Sequence, residues 1–427
     1  MVADTILKNC KIWYGNKLIE YGLALDEAKI VSISKDTGLP PSDEKINLKG
    51  NIILPGLTDI HVHFREPGLT WKGDWLTESK AALKGGITYI MEMPNTMPPT
   101  TTVERVLEKR EFAKKSVVNY DLYGGVSEEN IDHIVELAKH VKAFKIFMGK
   151  STGTLILDKH DLVLKAFSEI SKANKVACVH AEDQKIMDEF SKKYKDRDDP
   201  MAHALSRPPQ VEIEAIKEAI GIAKQTKVKL HICHLSTKGG LELIKDAKKE
   251  GMDITCETCP HYFLMTQDDF VKKGALLKIN PPLRSKENQV AILQGINDGS
   301  IDILATDHAP HTLEEKRKGI HEAPSGMPGV ENSLQLMLDA VNKKMISFNR
   351  VIELMHDNPV KRFDLGNYGY IQKGNDANLT IVDLKKKWKI TRENVATKCG
   401  WSPFEGWEGN GSPTYTVING RILNIEL

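Results

Sequence analysis

Apolar residues fall in short alternating runs at both ends of the chain and in longer unbroken runs through its middle. Near the start, Ile6-Leu7, Lys11-Ile12-Trp13 and Lys29-Ile30-Val31-Ser32-Ile33 show the alternation of half-buried strands, with Gly15-Asn16 as a turn signal. Residues 378–383 and 415–422 repeat the pattern at the far end. These two β-rich ends predict one small β domain assembled from residues 1–54 and 364–427. In residues 55–363, apolar β runs at 57–63, 88–93, 143–148, 176–180, 229–234, 253–258, 275–280 and 302–306 alternate with other segments. Helix-length amphipathic stretches lie at 74–85, 102–116, 128–140, 158–173 and 241–250. Eight β runs, each followed by a helical or irregular excursion, predict an α/β fold, a (β/α)8 TIM-type barrel. An open doubly wound sheet is the alternative, but the Gly-rich phosphate turn expected after its first strand is missing.

Composition narrows the partners. The 427 residues carry 59 Lys+Arg against 58 Asp+Glu, so no net basic field favours nucleic acid. Hydrophobic content of 41% with 27% charged residues is that of a soluble globular protein. No apolar run approaches the ~18–20 residues of a membrane span, and no signal peptide is visible. Six cysteines are too few for a disulfide framework in this length and suit a reducing cytoplasm. The 14 histidines are a slight excess, and their positions carry the chemistry.

His61 and His63 stand at i and i+2 near the end of an apolar run, so a strand puts both imidazoles on one face. They are either two metal ligands or two solvent-facing side chains. His180, His234 and Asp307 each close a further apolar run, and barrel enzymes build their sites from the C-terminal ends of several strands. Lys145 lies inside Ala143-Phe144-Lys145-Ile146-Phe147-Met148. It is either an edge lysine snorkelling to solvent or a buried amine. Burial favours a neutral amine that adds CO₂, giving a carbamate able to bridge two metal ions. Three motifs compete. Gly149-Lys150-Ser151-Thr152-Gly153 matches a nucleophile elbow but lacks an oxyanion segment before it. The same Gly-Lys-Ser fails as a phosphate loop because Phe144 stands where its first Gly belongs. Cys256-Glu257-Thr258-Cys259 has no second ligand pair, so its cysteines read as packing residues.

Taken together, these residues resemble the cyclic amidohydrolases of the amidohydrolase superfamily, and within them the dihydroorotases. The matching blocks are Pro55-Gly56-Leu57-Thr58-Asp59-Ile60-His61-Val62-His63-Phe64-Arg65-Glu66-Pro67-Gly68, Met93-Pro94-Asn95-Thr96, Val179-His180-Ala181-Glu182, His231-Ile232-Cys233-His234, Ile279-Asn280-Pro281-Pro282-Leu283-Arg284 and Thr306-Asp307-His308-Ala309-Pro310-His311. The resemblance implies two Zn2+ ions per chain, one held by His61, His63 and Asp307, the other by His180 and His234, with carboxylated Lys145 bridging them. It implies hydroxide attack on a cyclic amide carbonyl, with Asp307 shuttling the proton to the leaving nitrogen. The product of the reverse reaction would be dihydroorotate, formed from N-carbamoyl-L-aspartate in pyrimidine biosynthesis.

One departure stands out. Many bacterial dihydroorotases place an acidic residue where Lys145 stands, and Phe144-Lys145-Ile146-Phe147 looks more like the hydantoinase and allantoinase branch. Arg65 argues the other way. Two residues beyond His63, it would share that face and clamp a substrate carboxylate with Asn95 and His311. An ion pair with Glu66 or Asp74 is its structural alternative. Asn280 and the Gly326-Met327-Pro328-Gly329 loop, including Pro328 and Gly329, are expected to bond the ring amides. The expected partner is a small molecule bearing a carboxylate, with a homodimer and an association with aspartate transcarbamoylase also implied. An allantoinase or hydantoinase, and more distantly a non-catalytic scaffold, are the alternatives.

Overall fold

The computed structural model describes residues 2–425. Its centre is a parallel eight-stranded sheet whose strands adjoin in chain order. They are β1 (Leu57–Val62), β2 (Ile87–Glu92), β3 (Asn119–Gly125), β4 (Ala143–Phe147), β5 (Val176–His180), β6 (Lys229–Ile232), β7 (Ile254–Thr258) and β8 (Ile303–Leu304). The segment after β8 closes the barrel onto β1. His63 N–H donates to His308 O at 2.7 Å, and Thr306 N–H donates to Asp59 Oδ1 at 3.2 Å. His308 itself is spent on closure, bonding Glu78 at 2.9 Å and accepting from Gly329 N–H at 3.0 Å.

The surrounding helices follow from their sequences. In His160–Lys172 the buried residues Val163, Ala166, Phe167 and Ile170 recur at the three-to-four spacing that makes one apolar stripe against the barrel. Trp75–Lys84 starts at Asp74, whose side chain accepts from Thr77 N–H in a capping box. The segment expected as one helix over 128–140 is instead a 3₁₀ turn, Glu128–His133, followed by Ile134–Leu137. Asn130 binds Ser127 N–H, Thr101 O and Gly125 O, which holds the entry tight.

Two strand assignments need correction. Residues 275–280 form no strand: Gly274–Leu277 is a 3₁₀ turn, and Asn280 lies on the loop beyond it. The missing strand is β3, whose Asn119, Asp121, Gly124 and Gly125 resemble turn residues. The packing explains Gly124. A Cβ there would sit 2.9 Å from the Phe144 ring, so the position must stay bare for β4 to fit.

Both chain ends are β-rich. A four-stranded sheet contains Ala3–Lys8, Gly22–Asp26, Lys29–Ser34 and Ser42–Asn47. A six-stranded sheet joins Lys11–Tyr14, Lys17–Ile19 and Ile52–Pro55 to Leu379–Lys389, Glu408–Ile418 and Arg421–Asn424. Ile52–Pro55 pairs with strands from both ends and runs directly into β1. At the joint, a Cβ on Gly56 would lie 2.7 Å from Asn378 O. Only glycine lets the two backbones approach that closely.

Candidate metal centre

The C-terminal strand ends bring together every expected ligand. His61 lies in β1, His63 just beyond it, Lys145 in β4 and His180 at the end of β5. His234 and Asp307 follow β6 and β8 in left-handed conformations, with φ of 36° and 48°, and Arg65 does the same after β1 at 70°. Side-chain-bearing residues pay for that region of backbone space in strain, and such strain gathers where geometry serves a site. Arg65 therefore reaches the cavity through this turn and not through strand alternation, since β1 ends at Val62.

The ring nitrogens sort into two sets. His61 Nδ1 bonds Glu257, His63 Nδ1 bonds Asn95 Oδ1 at 2.7 Å, and His180 Nε2 bonds Glu182 at 2.8 Å. The opposite nitrogens converge. His63 Nε2 and His61 Nε2 lie 3.0 and 3.4 Å from Asp307 Oδ1, and His180 Nδ1 lies 2.9 Å from His234 Nε2. Donor atoms of His61, His234 and Asp307 all lie within 4.8 Å of one another. Metal-bound histidines characteristically donate their far N–H to a carboxylate or carbonyl, which fixes the tautomer and frees the near lone pair. Lys145 Nζ and His234 Nδ1 are buried without any hydrogen-bond partner. This donor set and its orphaned atoms fit a divalent-cation centre.

Electrostatics agree with the donor set. Burial pushes His63 down to about 3, and it lowers His180 and His234 as well, so these rings are neutral ligands. Burial and the Lys145 charge oppose protonation of His61, yet Glu257 and Asp307 raise it to about 10. Burial would raise Asp307, but His61 and His63 hold it well below the carboxylate range. Lys145 departs from the expectation that burial leaves it neutral. It is 0% exposed, but Cys233, Glu257 and Asp307 outweigh desolvation and shift it upward. The acidic surroundings thus call for positive charge at the centre.

Glu257 and Glu182 were not singled out in the sequence. Glu257 also bonds His231 at 3.1 Å and accepts from His234 N–H at 3.2 Å, tying β1, β6 and β7 together. The available signal was an acidic residue within an otherwise uncharged strand, hidden inside a motif read only for its cysteines. All six cysteines are free and buried.

The cavity at the centre is narrow, about 30 Å³, and besides the four histidines its walls include Arg65, Asn95, Lys145, Asn280, Asp307 and Ser325. Arg65 does not pair with the acids beside it: Glu66 pairs with Lys115 at 2.5 Å and Asp74 with Lys398 at 2.9 Å. Arg65 Nε donates to Pro310 O at 3.0 Å, and Nη2 lies 3.1 Å from His311 Nε2. Lys72 donates to His311 Nδ1 at 2.9 Å, so that nitrogen is an acceptor, and Nε2–H points to Ser325 O at 3.1 Å. Asn95 accepts from His63 and donates to Thr152 O at 2.8 Å, so it also orients a metal ligand. Asn280 donates to Ser151 Oγ at 3.4 Å, and its side-chain oxygen has no partner. Pro328 and Gly329 do not line the cavity; Ser325 and Gly326 occupy that wall, because Gly329 N–H is committed to His308. Ser151 and Thr152, from the apparent nucleophile elbow, are wall residues as well.

The fold and this centre define a hydrolase barrel with a histidine-rich metal site. The chain belongs to the Amidohydrolase family, whose profile matches residues 52–423. It is 39% identical to the dihydroorotase of Methanosarcina mazei, an alignment covering 100% of this chain and 95% of that protein. With the dihydroorotase of Pyrococcus furiosus identity is 38%, over 97% of this chain and 91% of the relative. Among solved structures, the L-hydantoinase (dihydropyrimidinase) of Arthrobacter aurescens superposes with a TM-score of 0.95 at 33% identity, covering 99% of this chain and 96% of that one.

Proposed function

We infer that this protein is a metal-dependent cyclic amide hydrolase, and within that class a dihydroorotase interconverting N-carbamoyl-L-aspartate and L-dihydroorotate. The full-length likeness to dihydroorotases supports the class of substrate. The observation that carries it within this chain is Arg65, a buried guanidinium on the cavity wall that neither adjacent acid neutralises. Dihydroorotate brings a carboxylate to meet it.

His61, His63 and Asp307 would hold one zinc ion and His180 and His234 the other, and Lys145, once it gives up the proton that Glu257 and Asp307 favour, would add CO₂ to supply a carbamate ligand. Such a pair supplies Lewis acidity and makes water reactive at neutral pH. The chain's own groups do the rest. Arg65, with His311 beside it, binds the carboxylate through charge-assisted bonds and fixes the ring. The unpartnered Asn280 oxygen accepts a ring N–H. Asp307, kept ionised by His61 and His63, accepts the proton of the attacking water at a carboxylate oxygen and delivers it to the leaving ring nitrogen. In the reverse direction it takes the proton from the ureido nitrogen as that nitrogen closes on the carboxyl group, and passes it to the oxygen that leaves as water.

A hydantoinase is the second reading, favoured by the similarity to the L-hydantoinase structure and by Lys145 itself. Hydrolysis assays with dihydroorotate, hydantoin and allantoin separate the two: dihydroorotate is expected to be turned over with the highest kcat/KM, and a preference for either neutral ring overturns the assignment. A scaffold would need none of the converging ligand nitrogens. The free cysteines fit a cytoplasmic setting. Among the described residues, no helix is long and apolar enough to cross a membrane. Sedimentation of the chain, alone and with aspartate transcarbamoylase, tests the homodimer and the association implied by the family resemblance.

A further inference from the structure

Behind the wall formed by Ser325 and Gly326 lie two buried lysines that the steps above leave unused. Lys316 is 1% exposed, and its Nζ donates to Lys278 O at 3.0 Å, Pro324 O at 2.9 Å and Gly326 O at 2.9 Å. Lys278 is 8% exposed, and its Nζ donates to Ile320 O and Ala323 O at 2.6 Å, with His321 O at 3.4 Å. Three carbonyls around one nitrogen match the three N–H donors of an ammonium, so this cage favours the charged form of Lys316. Among the described residues, neither lysine has a carboxylate within ion-pair distance.

The pair is coupled to the cavity by single hydrogen bonds. The Gly326 carbonyl that receives Lys316 belongs to a wall residue, and Gly326 N–H donates to Lys278 O at 2.9 Å. The next carbonyl, Ser325 O, accepts from His311, which touches Arg65. Lys278, Lys316, Arg65 and Lys72 therefore crowd one side of the cavity; Glu92 and Asp307 oppose the charge of Arg65, and Glu315 lies 2.9 Å from Lys72. Burial and the charge of Lys278 push Lys316 well below the ordinary lysine range, and burial and Arg207 bring Lys278 to about 8, so the carbonyl cages are what oppose loss of their charge. An anion bound at Arg65 relieves repulsion that a neutral ring leaves in place.

We propose that Lys278 and Lys316 are specificity-determining positioning residues: they pin residues 320–326, which end in the wall residues Ser325 and Gly326, and bias the cavity toward cyclic amides that carry a carboxylate. The inference rests on the functional reading above and extends it from the contact residue Arg65 to a charge pair behind the wall. Its test is isothermal titration of the full-length protein with orotate and with uracil, the same ring with and without the carboxylate. Lys316→Gln keeps N–H donors but removes the charge, and it should cut the preference for orotate about tenfold, a size set by a charge roughly one peptide unit from the ligand. Lys316→Arg should restore most of that preference, and Lys278→Gln gives an independent second reading. An unchanged orotate-to-uracil ratio in the Gln variants, or equal losses for both rings, would overturn the proposal, as would a parent protein that does not prefer orotate. If the parent prefers orotate yet does not turn over dihydroorotate, the functional reading fails and this inference stands.

Discussion

His180 Nδ1 and His234 Nε2 face each other across 2.9 Å, and the far nitrogen of His234 has no partner. Because His180 donates its Nε2 hydrogen to Glu182, the hydrogen between the rings belongs to His234. A metal ion entering there takes the lone pair and shifts that hydrogen to the unpartnered Nδ1 with no net release, whereas His61, held protonated by Glu257 and Asp307, must give up a proton to become a ligand, so loading is coupled to proton release. Titrating zinc into chelator-treated protein in buffers of different ionisation enthalpy is expected to show that release, saturate near about two ions per chain, and raise the melting temperature. Saturation with no release would contradict the arrangement.

Glu257 binds both His61 and His231 and accepts from the backbone of His234, so it sets the orientation of ligands on separate strands. Glu257→Gln keeps the volume and loses the charge. Zinc affinity, read by competition with a chromogenic chelator, should fall roughly 10–100-fold. Far-ultraviolet circular dichroism should stay unchanged.

Arg65→Gln removes the guanidinium from the cavity wall. For a carboxylate-bearing substrate kcat/KM should drop by about 3 kcal/mol, roughly a hundredfold. Any slow turnover of hydantoin should be spared. Equal losses for both would place Arg65 in wall packing instead of recognition.

Acid stability has a specific contributor in His261, which is 4% exposed, has an unpartnered Nε2, and is pushed by burial from 6.5 down to about 3. As pH falls from 6.5 toward 3, the unfolded chain takes up a proton that the folded state refuses. Folding stability therefore drops in that window, by up to about 1.4 kcal/mol per pH unit from this group. Urea unfolding at pH 7 and at pH 5 should show His261→Phe losing less stability between the two than the parent.

The histidines and Asp307 expected as ligands were legible because they stand at the ends of apolar runs, a pattern that survives without knowledge of strand partners. The strand Asn119–Gly125 was not, because Gly124 is dictated by the Phe144 ring on the neighbouring strand and Gly125 by Leu155, information that lies outside the segment. Residues 275–280 misled for the converse reason: apolar side chains packed in a loop carry the same signature as a strand. The orienting carboxylates escaped notice because a buried Glu gains meaning only from the histidine opposite it. The direction of the Lys145 shift was likewise set by acids from other strands, whereas its own neighbours predicted the reverse.

Ile52–Pro55 ends immediately before the strand bearing His61 and takes one of its partners from Leu379–Lys389. During synthesis all the metal ligands leave the ribosome before that partner exists, so the strand that anchors the first ligand waits with one edge unpaired. Trp401, which later donates to His311 O at 2.8 Å, is absent for the same interval. Completion of the support on which His61 and His311 rest is thereby tied to the arrival of the last strands.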